Sequence, residues 1–142
     1  MFILDTNVVS EMFTPRPSSN VMAWLDAHRR DDYWITAISR AELRLGMLLL
    51  PEGRRRHALG DLIEGFFRLT VRNEVLPFGK DEADVFAELV AVRRRSGRPI
   101  GEFDAQIAAI ARIRDFAVVT RNVNDFEHCG VEIINPWETG AP

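Results

Sequence analysis

At 142 residues, with 46% hydrophobic and 27% charged side chains, the chain has the size of one domain and the makeup of a globular protein, which excludes a disordered or collagen-like polypeptide. Its net charge of -3 argues against a generally basic nucleic-acid binder, although Lys80 is the only lysine and the other basic residues are arginine, the better fork for phosphate or carboxylate. No apolar run approaches the roughly 20 residues of a membrane-spanning helix, the N-terminus lacks a signal-peptide layout, and the lone Cys129 leaves neither a disulfide nor a cysteine metal site, so a cytoplasmic protein is expected.

Short apolar runs alternate with longer segments of helical period, the pattern of an α/β fold with a central, mostly parallel five-stranded sheet flanked by helices. Phe2–Leu4 is the first predicted strand, and it runs directly into Asp5, an anion at the lip of a core that needs a partner. Helices are predicted around Thr6–Met12 and Asn20–His28, separated by the proline-containing loop Thr14–Ser18. Tyr33–Thr36 is the second strand, and helices over Ser39–Leu49 and Arg54–Thr70 follow, broken at Pro51. Val75–Leu76 is a short third strand. Pro77-Phe78-Gly79 opens a helix over Lys80–Arg95, which Gly97-Arg98-Pro99 closes. A helix over Phe103–Arg114, a fourth strand at Ala117–Thr120 and a fifth at Val131–Ile134 complete a single domain of residues 1–142. Trp137 is expected to fold back on the core, and residues 138–142 to fray.

Two acids fall on apolar helix faces. Ile38, Leu45 and Leu49 stand at -4, +3 and +7 from Glu42, so Glu42 is expected to point inward; Ile107, Ala108 and Ala111 stand at +3, +4 and +7 from Asp104. Asp104 also lies in a first helical turn, where the macrodipole tolerates negative charge. In a parallel sheet, ligands bind beyond the carboxyl ends of the strands, where Asp5 and Thr120-Arg121-Asn122 stand. Asp5, Glu42 and Asp104 can then converge, and clustered carboxylates repel unless a cation holds them. Oxygen ligands without histidine or cysteine favour Mg²⁺, with Mn²⁺ as substitute, and such a site suits phosphodiester hydrolysis by a metal-activated water. His28, His57 and His128 lack metal-ligand spacing and are read as surface residues.

DTNVVSE, ISRAELRLGM, FDAQIAAIA and VVTRNVNDF, in that order, resemble the PIN-domain ribonucleases, specifically the toxins of VapBC- and FitAB-type toxin–antitoxin modules. The resemblance covers nearly the whole chain and implies a PIN-like fold and a Mg²⁺-dependent endoribonuclease. It implies that Asp5, Glu42 and Asp104 are the catalytic, metal-binding acids. The family's fourth position matches Asn122, with Asp125 three residues on, and the choice between them stays open. Thr6, Asn7 and Thr120 are expected to orient ligands and water. The resemblance further implies a homodimer, a cognate VapB- or FitA-like antitoxin lying over the groove, RNA as substrate, and a higher complex with antitoxin on operator DNA.

Arg121, next to the expected metal site, is a candidate RNA contact, as are the runs Arg54-Arg55-Arg56 and Arg93-Arg94-Arg95. Phe13, Met22 and Trp24 are candidate apolar anchors for a partner. A haloacid-dehalogenase-type phosphatase also starts with a strand running into Asp, but it needs a second acid where Asn7 stands, and no glycine-rich loop follows strand one to make a dinucleotide fold. The alternative kept is a catalytically silent PIN-like module acting through antitoxin or DNA binding.

Overall fold

The computed structural model describes residues 1–28, 32–70 and 74–138. Strands β1 (Phe2–Leu4), β2 (Tyr33–Thr36), β3 (Val75–Leu76), β4 (Ala117–Val119) and β5 (Ile133–Ile134) form one sheet in the order β3-β2-β1-β4-β5. All its pairings are parallel, with Phe2 opposite Tyr33 on one side and Ala117 on the other. The strands are short and nearly all apolar because β1 and β4 are covered on both faces. The helices are α1 (Thr6–Met12), α2 (Ser19–Ala27), α3 (Ala37–Leu48), α4 (Arg54–Leu69), α5 (Lys80–Arg95), α6 (Glu102–Arg114) and α7 (Val123–Phe126).

The period-2 alternation along β1 builds two cores at once. Leu4 joins Val8, Val9, Ile35, Phe67 and Val119 on one face, beneath α1 to α4. Ile3 joins Leu89, Ala105, Ile107, Val118 and Phe126 on the other, beneath α5 to α7. Alanines 105, 108, 109 and 111 are fully buried, and their small side chains bring α6 close to the sheet.

All five strands and the first six helices lie within two residues of their predicted bounds. The four-residue α7 is too short to show periodicity and was not predicted. Trp137 folds back as expected: its carbonyl accepts from Asn20 Nδ2 at 2.8 Å, and its ring packs against the α1–α4 core. Glu138, predicted to fray, donates its amide to the Asn135 carbonyl; residues 139–142 lie outside the described residues.

Several expectations for individual side chains are corrected. Trp24 is no exposed anchor, because it is buried in an aromatic stack with His28 at 4.1 Å, Phe2 at 5.2 Å and Tyr33 at 6.0 Å. That stack also half-buries His28, whose Nδ1 meets the Trp24 carbonyl. Phe13 and Met22 are partly buried against the same core. Arg93 is not a solvated phosphate contact either; it is 4% exposed and donates to the carbonyls of Arg98 and Glu127, tying the end of α5 to the end of α7. Arg94 and Arg95 remain exposed.

Phe67 is fully buried on the α1–α4 side, with the Arg40 guanidinium 4.3 Å above its ring. Phe67→Ala is expected to destabilise the domain by about 3–5 kcal/mol, measured as a shift in the urea midpoint at constant slope.

Candidate active site

The chain leaves β1 towards β2 and β3 on one side and returns to β4 on the other, so the connections diverge between β1 and β4. Crevices in open parallel sheets form at such a switch point, outside the carboxyl ends of the strands. Asp5 stands there at the end of β1, its amide held by the Val119 carbonyl at 3.0 Å, and Thr120 stands beside it at the end of β4.

Asp5 is only 3% exposed, and its carboxylate is almost saturated with donors. Oδ1 accepts from the Thr6 amide at 2.7 Å; Oδ2 accepts from Asn7 Nδ2 at 2.8 Å and from the Thr120 hydroxyl at 2.7 Å. Having given its proton to Asp5, the Thr120 hydroxyl accepts from Asn7 Nδ2 and from the Asn122 amide. The Arg121 amide closes the network on Asn7 Oδ1 at 3.2 Å. Asp5 also caps α1, so the residue that begins the helix presents the charge. Burial still pushes the Asp5 carboxyl above its ordinary value, opposed by those three hydrogen bonds and reinforced by the charge of Asp125.

Glu42 comes from α3, and the Thr6 hydroxyl donates to its Oε1 at 2.9 Å. Thr36 at the end of β2 caps α3 by accepting from the Ser39 amide, which fixes where the helix starts and therefore where Glu42 lies. The predicted apolar face is corrected here. Leu45 and Leu49 are 53% and 75% exposed, and α3 buries Ser39 and Leu43 instead, so Glu42 stands half-buried at the edge of that contact. The reason is tertiary: α3 packs against α1, α4 and α6, and near its end it is Met47, beside Gly60 of α4, that turns to the core in place of Leu45 and Leu49. Burial, then the charge of Asp5, pushes the Glu42 carboxyl up.

Asp104 sits half-buried in the first turn of α6, and Ile107, Ala108 and Ala111 lie in the core as expected. Its carboxyl is pushed up to about 6, by burial first and then by the charges of Asp5, Asp125 and Glu42. The acids are therefore brought within electrostatic reach of one another from β1, α3, α6 and α7. Of the two candidates for the fourth place, Asp125 is half-buried and its charge reaches both Asp5 and Asp104, whereas Asn122 is exposed and enters the network through its backbone amide. The exposed Arg121 lies 5.4 Å from the Trp137 ring centroid.

The donor set is carboxylate, amide and hydroxyl oxygen, the chemistry of a hard divalent cation. Among the described residues, no three acidic, histidine or cysteine side chains lie close enough to share one ion as they stand. What fits a cation is the donor chemistry, together with the neighbouring charges of Asp5, Asp125 and Glu42 that add to burial in raising Asp104. Two cavities flank the acids, one of about 340 Å³ beside Arg121, Asn124 and Asp125, the other of about 380 Å³ beside Glu42, Phe103 and Asp104.

The PIN domain family pattern matches residues 2–131. The chain belongs to the PIN-domain family. This PIN domain is 41% identical over 138 residues to the VapC ribonuclease Y4jK of Sinorhizobium fredii, covering 97% of this chain and 99% of the relative. It is 36% identical over 137 residues to Toxin FitB of Neisseria gonorrhoeae, covering 96% and 99%. It superposes on a chain in the structure of FitAB bound to an IR36 DNA fragment with a TM-score of 0.92 at 34% identity, covering 99% of this chain and 98% of that one. The crystal structure of FitAcB from Neisseria gonorrhoeae gives 0.91 at 36% identity, covering 97% and 99%. The predicted PIN fold and family are thus the observed ones.

Sequence reasoning missed two contributors to this PIN domain's site. The capping role of Thr36 was readable from a threonine three residues before Ser39. Phe103 carried no signal, because its exposure depends on what α6 packs against.

A carboxyl whose pKa is raised by folding, from 3.8 to about 6 for Asp104, favours the folded state below the lower value and loses that contribution as pH rises through the higher. Asp104→Asn removes the group. In chelator-treated protein, the Tm of this variant relative to wild type is therefore expected to rise between about pH 4 and about pH 7; a falling difference would contradict the assigned environment.

Proposed function

We propose that the protein is a metal-dependent endoribonuclease, the toxin of a VapBC- or FitAB-type toxin–antitoxin pair. The observation that carries this reading is that Asp5, Glu42, Asp104 and Asp125 lie within electrostatic reach of one another at the β1–β4 switch point, where burial first and then the charges of the other three push the Asp104 carboxyl up to about 6. Near-full-length relatives named VapC ribonuclease and Toxin FitB support it.

Asp5, Glu42 and Asp104 are the residues that would hold a Mg²⁺ or Mn²⁺ ion, with Asp125 beside them. When bound, the ion supplies a water of lowered pKa and neutralises charge on an RNA phosphodiester. Thr6, Asn7 and Thr120 orient the Asp5 carboxylate with three hydrogen bonds that favour its charged form against the effect of burial. The Thr6 hydroxyl couples Glu42 to the same scaffold. Arg121 contacts a phosphate next to the one attacked, countering the acidic centre. Water attacks phosphorus in line, the P–O3′ bond breaks, and the products carry a 5′-phosphate and a 3′-hydroxyl.

The partner reading rests on the FitAB and FitAcB structures. A groove of about 370 Å³ between α1, α3 and α4, lined by Phe13, Leu43, Met47 and Ile63, runs up to Glu42 and suits the apolar side of an antitoxin segment whose basic residue reaches the acids. With a net charge of -3, this chain leaves operator DNA contact to the antitoxin. The exposed Leu45 and Leu48 on α3, Leu49 just after it, and Leu62 and Leu69 on α4 support a homodimer. Light scattering at micromolar concentration is expected to give twice the chain mass, and a monomer would count against that assembly.

Purified protein with Mg²⁺ or Mn²⁺ is expected to cut total cellular RNA at discrete sites, and EDTA to stop it. Asp5→Asn abolishes cleavage while keeping the fold, Thr120→Val lowers it about 10- to 100-fold, and Mg²⁺ raises the Tm of wild type but not of Asp5→Asn. Folded, antitoxin-free, metal-loaded protein that cuts nothing would favour the silent binding module.

A further inference from the structure

Phe103 is 51% exposed, whereas every other aromatic side chain of the protein is buried or half-buried. Among the described residues it makes no ring contact. Its backbone is nevertheless rigid, because the first turn of α6 is closed by the Ala105 amide on the Gly101 carbonyl at 2.9 Å and is anchored by the fully buried Ala105 and Ile107. The backbone therefore fixes where the ring is attached relative to Asp104, the next residue, and the side chain lines with Glu42 and Asp104 an open cavity of about 380 Å³.

An acidic centre on a chain of net charge -3 repels a polyanion, so RNA needs contacts there that do not depend on charge. A solvent-facing aromatic ring supplies one, since every nucleobase has a face that stacks on it. We propose that Phe103 is a stacking platform for a nucleobase of bound RNA, the nucleotide whose phosphate lies over Glu42 and Asp104. This rests on the ribonuclease reading above. The opposite cavity, beside Arg121, then takes the chain on the far side of the attacked phosphate. Stacking accepts any base, so Phe103 sets affinity and register, and sequence choice belongs to other contacts.

The test uses full-length protein carrying Asp5→Asn, to prevent cleavage, and single-stranded RNA oligonucleotides containing 2-aminopurine at successive positions. With Phe103 present, fluorescence at one position is expected to be quenched on binding. Phe103→Ala is expected to remove the quench and to weaken binding about tenfold, with the salt dependence of binding unchanged because stacking releases no counterions. Phe103→Tyr and Phe103→Trp should retain the quench, whereas Phe103→Leu, which keeps apolar bulk without a π face, should lose it. In cleaving protein, the Phe103→Ala defect should lie in KM more than in kcat.

Wild-type affinity and quenching in Phe103→Ala would overturn the platform while leaving the ribonuclease intact. A change of mass on light scattering in Phe103→Ala with RNA affinity unaltered would place the ring at an interface between copies instead. No RNA binding or cleavage by metal-loaded protein with Asp5 intact would remove both the platform and the ribonuclease.

Discussion

The buried carboxylate of Asp5 is the constraint from which the rest of the site follows. An isolated carboxylate at 3% exposure would be expelled or protonated, yet here three donors converge on it from Thr6, Asn7 and Thr120. Those donors belong to α1 and to the end of β4, so satisfying one side chain locks the β1–α1 turn against the neighbouring strand. The β1–β4 pairing and the Asp5 network therefore support each other. Removing the Thr120 hydroxyl would take one of three donors from Asp5 and leave the Asn122 amide without its acceptor.

Around that centre the acids are graded in burial and hydrogen bonding. Asp5 is rigid and hydrogen-bonded, Glu42 is tied by one hydroxyl, and Asp104 is held by its helix but rests its carboxylate against other negative charges. Such an arrangement stores repulsion that a divalent cation relieves. Arg93 acts at a distance in the same design, since its contact with the Glu127 carbonyl holds the end of α7, the short helix that carries Asp125.

Much of this was legible from residue order alone. Phe2-Ile3-Leu4 ahead of Asp5 can hardly be anything but a buried strand meeting a charge at its exit, and Asp104 with Ile107, Ala108 and Ala111 keeps an apolar period that the packing respects. The inward reading of the Glu42 face went astray because periodicity ranks faces by composition, whereas the packing of α3 buries Ser39 and Leu43, turns Met47 to the core and leaves Leu45 and Leu49 in solvent. Trp24 and Arg93 show the reverse: each reads as a surface residue and each is buried. In both cases partners far along the chain, Phe2 and Tyr33 for one and the Glu127 carbonyl for the other, supply what the local sequence does not display.

By itself, the sequence determined the strand and helix segments, the parallel α/β class and the acids at the strand exits, because those follow from local hydrophobic period and from the intolerance of a core for unpaired charge. Only the tertiary structure decided which acids feel one another, that the charge of Asp125 reaches Asp5 and Asp104, and that Phe103 stands uncovered beside them. These depend on distances between segments up to about a hundred residues apart, set by sheet order and helix packing, and no spacing along the chain encodes them.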